Sequence, residues 1–216
     1  RTRCINPKSR RIGKETAGVG MFLGEIREYM KLLVIILTVL QSLLTTLEQK
    51  TLETDFTLTS AQSAMSNETP MTYEGQLKMH GKQFLLNMLS MEAAYDGNTL
   101  YMYNEDVDEL SLTNPSEEEL IETNPFLYAQ KLLPICQYTE KAMGDKTQIT
   151  LTPKDQSSGI SKFILRVVTT TLLPTQIEVH ETSGTLTTLR LINAHYTDSI
   201  PSFNIEKEGA FINDLR

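Results

Sequence analysis

Apolar and polar residues alternate along most of the chain beyond Thr54, and a period of two predicts strands with one buried face. Asp55-Phe56-Thr57-Leu58-Thr59 opens the series. Ser66 to Pro70 reads as a turn, Met71 to Met79 alternates again, Gly81-Lys82 reverses the chain, and Gln83 to Leu89 returns. This returning strand is apolar on both sides, with Phe84, Leu86 and Met88 on one and Leu85 and Leu89 on the other. It needs an apolar neighbour against each face. A core plus a helix would supply that, and so would a core plus a ligand cavity. Asp96-Gly97 marks a further hairpin, with Tyr101-Met102-Tyr103 in the strand after it. Beyond Gly144 come Thr147 to Lys154, a Ser-Ser-Gly turn at 157 to 159, and then Phe163 to Val168, Thr175 to His180 and Thr185 to Ile192. Regularly spaced strands of this kind predict an antiparallel sheet curled into a barrel.

Helical spacing precedes the alternation in one place and interrupts it in two. Leu43 to Thr54, with Leu44 and Leu47 on one side, predicts a short opening helix. Asn114 is placed to cap a second helix, with Pro115 at its first position and Glu117 three residues after the cap. The Glu117-Glu118-Glu119 run then lies in the first turn, where the helix dipole favours it, and needs no catalytic explanation. Asn124-Pro125 repeats the device, and Phe126, Ala129 and Leu133 share a face until Pro134 ends the helix.

The N-terminal end follows neither pattern. Residues 1–29 have no hydrophobic period, and Met30-Lys31 is followed at once by the apolar run Leu32 to Leu40. A start residue, a positive charge and a short apolar run read as a signal peptide. The expected organisation is an upstream extension over 1–29, a cleaved leader over 30–42, and one domain over 43–216. A membrane anchor is the alternative, but the run falls short of the roughly twenty residues a span needs. Ser42, Thr45 and Thr46 are the small residues available near the cut, and no Cys follows the run as a lipidation site.

Composition narrows the function. The chain has 216 residues and 40% apolar content, ordinary for a globular core. Residues 51–216 carry eleven Lys or Arg against twenty-three Asp or Glu, a net −12 that argues against nucleic acid as partner. With the leader removed Cys136 is alone, following Pro134-Ile135 at the end of an apolar helical stretch, and reads as a structural thiol. Cys136, His80, His180 and His195 are the only material for a nucleophilic triad, without a nucleophile elbow or a phosphate loop. Glu178 and His180 share a strand face, but no third ligand stands at metal-site spacing. Glu105, Asp106, Asp108 and Glu109 lack the Gly and Glu of a calcium loop and read as a solvated loop. The expectation is therefore a protein without catalytic residues, metal or cofactor.

One segment is more specific. Asp96-Gly97-Asn98-Thr99-Leu100-Tyr101-Met102-Tyr103-Asn104 resembles the Asp-Gly-x-Thr-Leu-aromatic-x-Tyr-Asn segment of the LolA family of outer-membrane lipoprotein carriers. In family order, Asp55-Phe56-Thr57 resembles its first strand, and Gly75-Gln76-Leu77 with Gly81-Lys82-Gln83-Phe84 its next hairpin. Asn124-Pro125-Phe126 resembles its helix start, Ile149 to Lys154 its mid-chain strand, and Phe203 to Arg216 its ending. The similarity runs over roughly residues 44 to 216.

The resemblance implies a mainly β (α+β) fold, an incomplete antiparallel β-barrel, strongly curved, with short helices covering its open side. It also implies a periplasmic carrier that holds the acyl chains of lipoproteins in an apolar cavity. Its partners would be acylated lipoproteins, an inner-membrane lipoprotein-release complex and an outer-membrane acceptor, and it would act as a monomer. A barrel for another lipid or glycolipid, or an inert envelope module, is the alternative. Strand alternation makes Leu77, Met79, Phe84, Leu86, Met88, Leu100, Met102, Leu165 and Leu189 the inward candidates for the cavity lining. By resemblance the Asn124 to Leu133 helix is the lid, with Phe126, Leu127 and Leu133 as plugs. Where some carriers of the family have a functional arginine in the hairpin, this chain has Gly81, beside Lys82.

Overall fold

A computed structural model describes residues 38–62, 70–155 and 159–216. The upstream extension, most of the leader and the expected turns at 66 to 69 and 157 to 158 lie outside the described residues. Within them, twelve strands form one mostly antiparallel sheet in the order β12-β6-β5-β4-β3-β2-β1-β11-β10-β9-β8-β7. The first half is β1 (Thr51–Ala61), β2 (Met71–His80), β3 (Gln83–Met88), β4 (Met91–Tyr95), β5 (Leu100–Asn104) and β6 (Glu109–Thr113). The second is β7 (Cys136–Met143), β8 (Lys146–Pro153), β9 (Ile160–Val168), β10 (Pro174–Glu181), β11 (Leu186–Thr197) and β12 (Phe211–Asp214). Long antiparallel pairing of β1 with β11 joins the halves, and only β12 on β6 is parallel. The sheet is strongly curved and stays open between β7 and β12.

Among the described residues three helices accompany it: α1 (Thr38–Gln49), α2 (Glu117–Thr123) and α3 (Pro125–Leu132). Leu40, Leu43 and Leu47 of α1 fall at helical spacing and are buried, as are Phe126, Ala129 and Leu132 of α3. All six join one core with Leu52, Phe56, Met79, Phe84, Ile149, Leu151, Phe163, Leu165 and Ile177 from the concave face. The opening helix thus starts and ends earlier than its periodicity suggested. Thr51 to Thr54 belong to β1, where Leu52 and Thr54 point inward in step with Phe56. Because α1 begins at Thr38, buried Leu40 falls inside the span read as leader.

The cap of α2 is also displaced. Ser116, not Asn114, is its N-cap: Ser116 Oγ accepts from the Glu119 N–H at 3.3 Å, and the Ser116 N–H donates to Glu119 Oε2 at 2.7 Å. Asn114 instead accepts from the Thr99 hydroxyl at 3.4 Å. Cys136, expected at a helix end, is the first residue of β7.

A second, smaller core lies on the convex face. Ile205, in the segment between β11 and β12, packs against Ala94, Leu110 and Leu112, with Leu85, Tyr101, Tyr103 and Ala210 around it. This strap, rather than a helix, covers the outer apolar side of β3. Lys207 fastens it, 2.7 Å from Glu92 Oε1 and 4.5 Å above the centre of the Tyr103 ring.

Candidate functional site

The Asp96 to Asn104 motif turns out to be architectural. Asp96 accepts the N–H groups of Asn98 and Thr99, each at 2.8 Å, and the Tyr101 hydroxyl at 3.0 Å. Burial opposes its charge, but those hydrogen bonds outweigh burial and hold the carboxyl below the usual range. Of the pair Asp96-Gly97, only Gly97 takes a positive φ, at 107°. The motif closes the β4–β5 turn and contributes little of the concave surface beyond Leu100 and Met102.

That concave surface is graded. Paired side chains Leu100, Tyr95, Phe84, Met79 and Leu52 form a row near the β2–β3 turn, and four of the five are buried. Two residues further along each strand, Met102, Ala93, Leu86 and Leu77 form a parallel row that is half-buried, with Met102 40% exposed. Met88 and Met91 lie opposite each other beyond it, also half-buried. Leu58 pairs with Leu189 in the same uncovered region, and Val179 is close by. The result is an apolar trough on the concave face of β1–β5 and β10–β11, continuous with the filled core beside it.

The helices explain the gradient. The Gly81 N–H donates to the Leu47 carbonyl at 2.7 Å, which fixes the end of α1 at the β2–β3 turn. At its other end the Leu40 backbone comes close to the Tyr138 hydroxyl on β7. Burial, and then the Glu140 carboxylate that accepts its hydrogen bond, push this hydroxyl far above the ordinary tyrosine range. α3 runs the opposite way. Asn124, buried beside Met79 through an Nδ2–H to Sδ contact of 3.4 Å, accepts from the Phe126 and Leu127 N–H groups at 3.0 and 3.3 Å. The helix then ends at β7, with Tyr128 against the Phe163 ring at 6.1 Å. Both helices therefore cross the concave face from the β2–β3 end towards β7, over β8 and β9, and leave the side chains of the trough half-buried.

Each sequence-derived candidate can be located on this surface. Met79, Phe84 and Leu165 are buried in the filled part; Leu77, Leu86, Met88, Leu100 and Leu189 are half-buried against it; Met102 is the most open. Phe126 is buried under α3, while Leu127 and Leu133 are half-buried, and Leu132 rather than Leu133 completes the inward face. Alternation alone missed Ala93, Val179 and the α1 leucines. Between α1 and α3 lies a cavity of about 410 Å³ lined by Leu44, Leu47, Phe126, Leu127, Glu48 and Gly81 among others. Gly81 has φ +57°, and a Cβ there would come 2.8 Å from Glu48 Oε2. The position of the family arginine thus touches α1 through its backbone.

The residues considered for catalysis are dispersed. His80 faces Thr51, His195 the Asn193 carbonyl and His180 Glu178. Burial raises the Cys136 thiol pKa, against the reactive thiolate. Among the described residues no group of three or more His, Cys, Asp or Glu is placed to hold a metal. Glu178, on the convex face, accepts from Arg166 Nη1 at 2.6 Å and from Gln176 at 2.7 Å. Burial opposes its ionisation, but Arg166 and His180 outweigh it, so its pKa is lowered. A lowered folded-state pKa gives stability that is present above the unfolded carboxylate pKa and lost as pH falls through the folded one. Wild type should therefore lose its thermal advantage over Glu178→Gln only below the ordinary carboxylate range, which melting temperatures across acid pH would show.

Comparison with known proteins agrees with this architecture. The family model "Outer membrane lipoprotein carrier protein LolA" matches residues 48–203. No curated protein matches. Among solved structures, an uncharacterized conserved protein of Thermus thermophilus is similar at 9% identity with a TM-score of 0.54, over 81% of this chain and 98% of that one. A LolA superfamily protein of Nitrosomonas europaea aligns at 12% identity and TM-score 0.38, covering 76% and 97%. MucB in the Pseudomonas aeruginosa MucA/MucB complex aligns at 17% and 0.45, covering 76% and 57%. The matched span runs from the end of α1 to the strap on the convex face, and the chain belongs to the LolA family of outer membrane lipoprotein carrier proteins.

Proposed function

We propose that this protein is a periplasmic carrier that receives the acyl chains of lipoproteins in the concave trough and transfers them from the inner to the outer membrane. The observation that carries the reading is the uncovered, in-register row Leu77, Leu86, Ala93 and Met102, which joins the filled core without a polar break. An acyl chain in water costs about 0.8 kcal/mol per CH₂, so a carrier must offer continuous apolar surface and still let go. The trough supplies the first contact. Deeper seating requires α1 or α3 to lift from the core that their buried side chains join, with the cavity between them as the place of separation. Phe126 and Leu127 on α3, with Leu133 at its C-cap, then act as the plug, and the leucines of α1 as its counterpart.

Among the described residues no helix is long and apolar enough to cross a membrane. Export by a cleaved leader starting at Met30 is part of the proposal. A cut near residue 42 would remove Leu40 and its contact with Tyr138, and leave Leu43 and Leu47 to seat the rest of α1. An inner-membrane release complex and an outer-membrane acceptor are the proposed partners, with the monomer as the working unit and no enzymatic step.

Titration with an environment-sensitive apolar probe, displaced by a triacylated lipopeptide, tests the reading. Saturable probe binding with competitive displacement is expected; absence of saturable binding would mean a solid core. The lid gives a second result. Asn124→Ala removes the buried N-cap of α3 and should cost about 1–2 kcal/mol in chemical denaturation while speeding lipopeptide release.

A further inference from the structure

The hairpin tips beside the trough show three large apolar side chains in open solvent. Leu89, at the β3–β4 turn, is 73% exposed and has φ +55°, a conformation that suits Asn or Gly far better than leucine. Val107, at the β5–β6 turn, is 63% exposed, and Phe211, at the start of β12, is 68% exposed. These elements are tied together: the Glu105 N–H donates to the Ser90 carbonyl and the Phe211 N–H to the Asp108 carbonyl, both at 2.9 Å. Tyr103 fixes Asp108 through its hydroxyl at 2.9 Å. Three apolar prongs therefore stand on one cross-braced rim, although a strained leucine contributes nothing to the packing there.

The trough opens at this rim. Burial drops from Phe84 to the half-buried Leu86 and Met88 along β3 and from Tyr95 to the half-buried Ala93 and Met91 along β4, and both series end beside Leu89. What the tips touch is what a chain leaving the trough meets next. The charges around them select among surfaces. Glu105, Asp106 and Asp108 are exposed on the β5–β6 turn, a carboxylate collar that repels anionic lipid and complements outward-facing ammonium groups.

Resting on the carrier reading above, we propose that this rim docks the protein directly on a zwitterionic lipid bilayer, with Leu89, Val107 and Phe211 entering the acyl layer and the trough mouth against the surface. Separate prongs among charged residues suit a fluid surface, which needs no matching pocket.

Co-sedimentation of the protein, without lipopeptide, with phosphatidylcholine–phosphatidylethanolamine vesicles tests the docking, while lipopeptide affinity in solution tests the carrier reading separately. Association should fall at least about tenfold in Leu89→Asn/Val107→Asn/Phe211→Ser, equal to about 1.4 kcal/mol, with lipopeptide affinity within about twofold of wild type. Leu89→Asn alone should raise the melting temperature, because Asn accepts the left-handed turn. Replacing half the lipid by phosphatidylglycerol should weaken association. The proposal is overturned if the zwitterionic vesicles do not bind, if the triple variant binds them as well as wild type, or if anionic vesicles bind better. Variants that fail to deliver lipopeptide although wild type binds no vesicle would assign the rim to a protein partner instead.

Discussion

Leu86→Glu is expected to weaken lipopeptide binding about a hundredfold, the equivalent of about 3 kcal/mol, while the protein stays folded. Leu86 lies at the centre of the uncovered row between Leu77 and Ala93 and is only half-buried. In the free protein its carboxylate can hydrate from the open side of the trough, but an acyl chain laid across it would strip that water away. Leu165→Glu is the contrast. Leu165 is fully buried between Ile149 and Ile177, where a charge has no access to water and exceeds what a domain with about 5–15 kcal/mol of stability can absorb. Leu165→Glu should therefore abolish cooperative unfolding. Circular dichroism melts beside lipopeptide titrations separate the two cases; equal destabilisation by both would mean that the trough is ordinary core.

Gly75 carries the other large effect. A Cβ built on it would come 2.4 Å from the Asn87 carbonyl oxygen and 2.5 Å from Phe56 Cζ, so the Phe56 ring lies against bare backbone on β2. One contact is backbone and the other is a ring buried under the helices, and neither can swing aside. Gly75→Val should cost about 3 kcal/mol, or roughly 6–12 °C in melting temperature for a domain of this size. Adding Phe56→Leu should recover part of the loss by relieving the ring contact. A melting temperature unchanged in Gly75→Val would contradict the close packing of β1 on β2.

Where one face of a strand was buried against the main core, its residues were legible. Phe56, Met79, Phe84, Leu165 and Leu189 alternate in sequence and all lie on the concave side. Strands whose burial depends on distant chain were not. Leu110 and Leu112 of β6 face outward and are covered only by the C-terminal strap, so nothing near them in sequence marks their partner. β7 is an edge strand with mostly exposed side chains, which gives no apolar period, and β4 is five residues long with two adjacent alanines. Leu89 was read as the last residue of an apolar strand face, but β3 ends at Met88 and the leucine turns outward. The split of the concave face into filled core and open trough was not legible because the course of α1 and α3 decides it. Leu165 and Leu86 belong to the same alternating pattern and differ only in what lies above them.

The central claim is that the trough carries acyl chains, and the most direct test is what the protein holds when taken from its native envelope. Mass spectrometry under non-denaturing conditions, with gas-phase release, should find a bound fraction that liberates diacyl- or triacyl-modified polypeptide, lost in Leu86→Glu and retained in Cys136→Ala/His180→Ala/His195→Ala. Recovery of wild type and Leu86→Glu with identical masses, both free of lipid after purification without detergent from an envelope rich in lipoproteins, would contradict it.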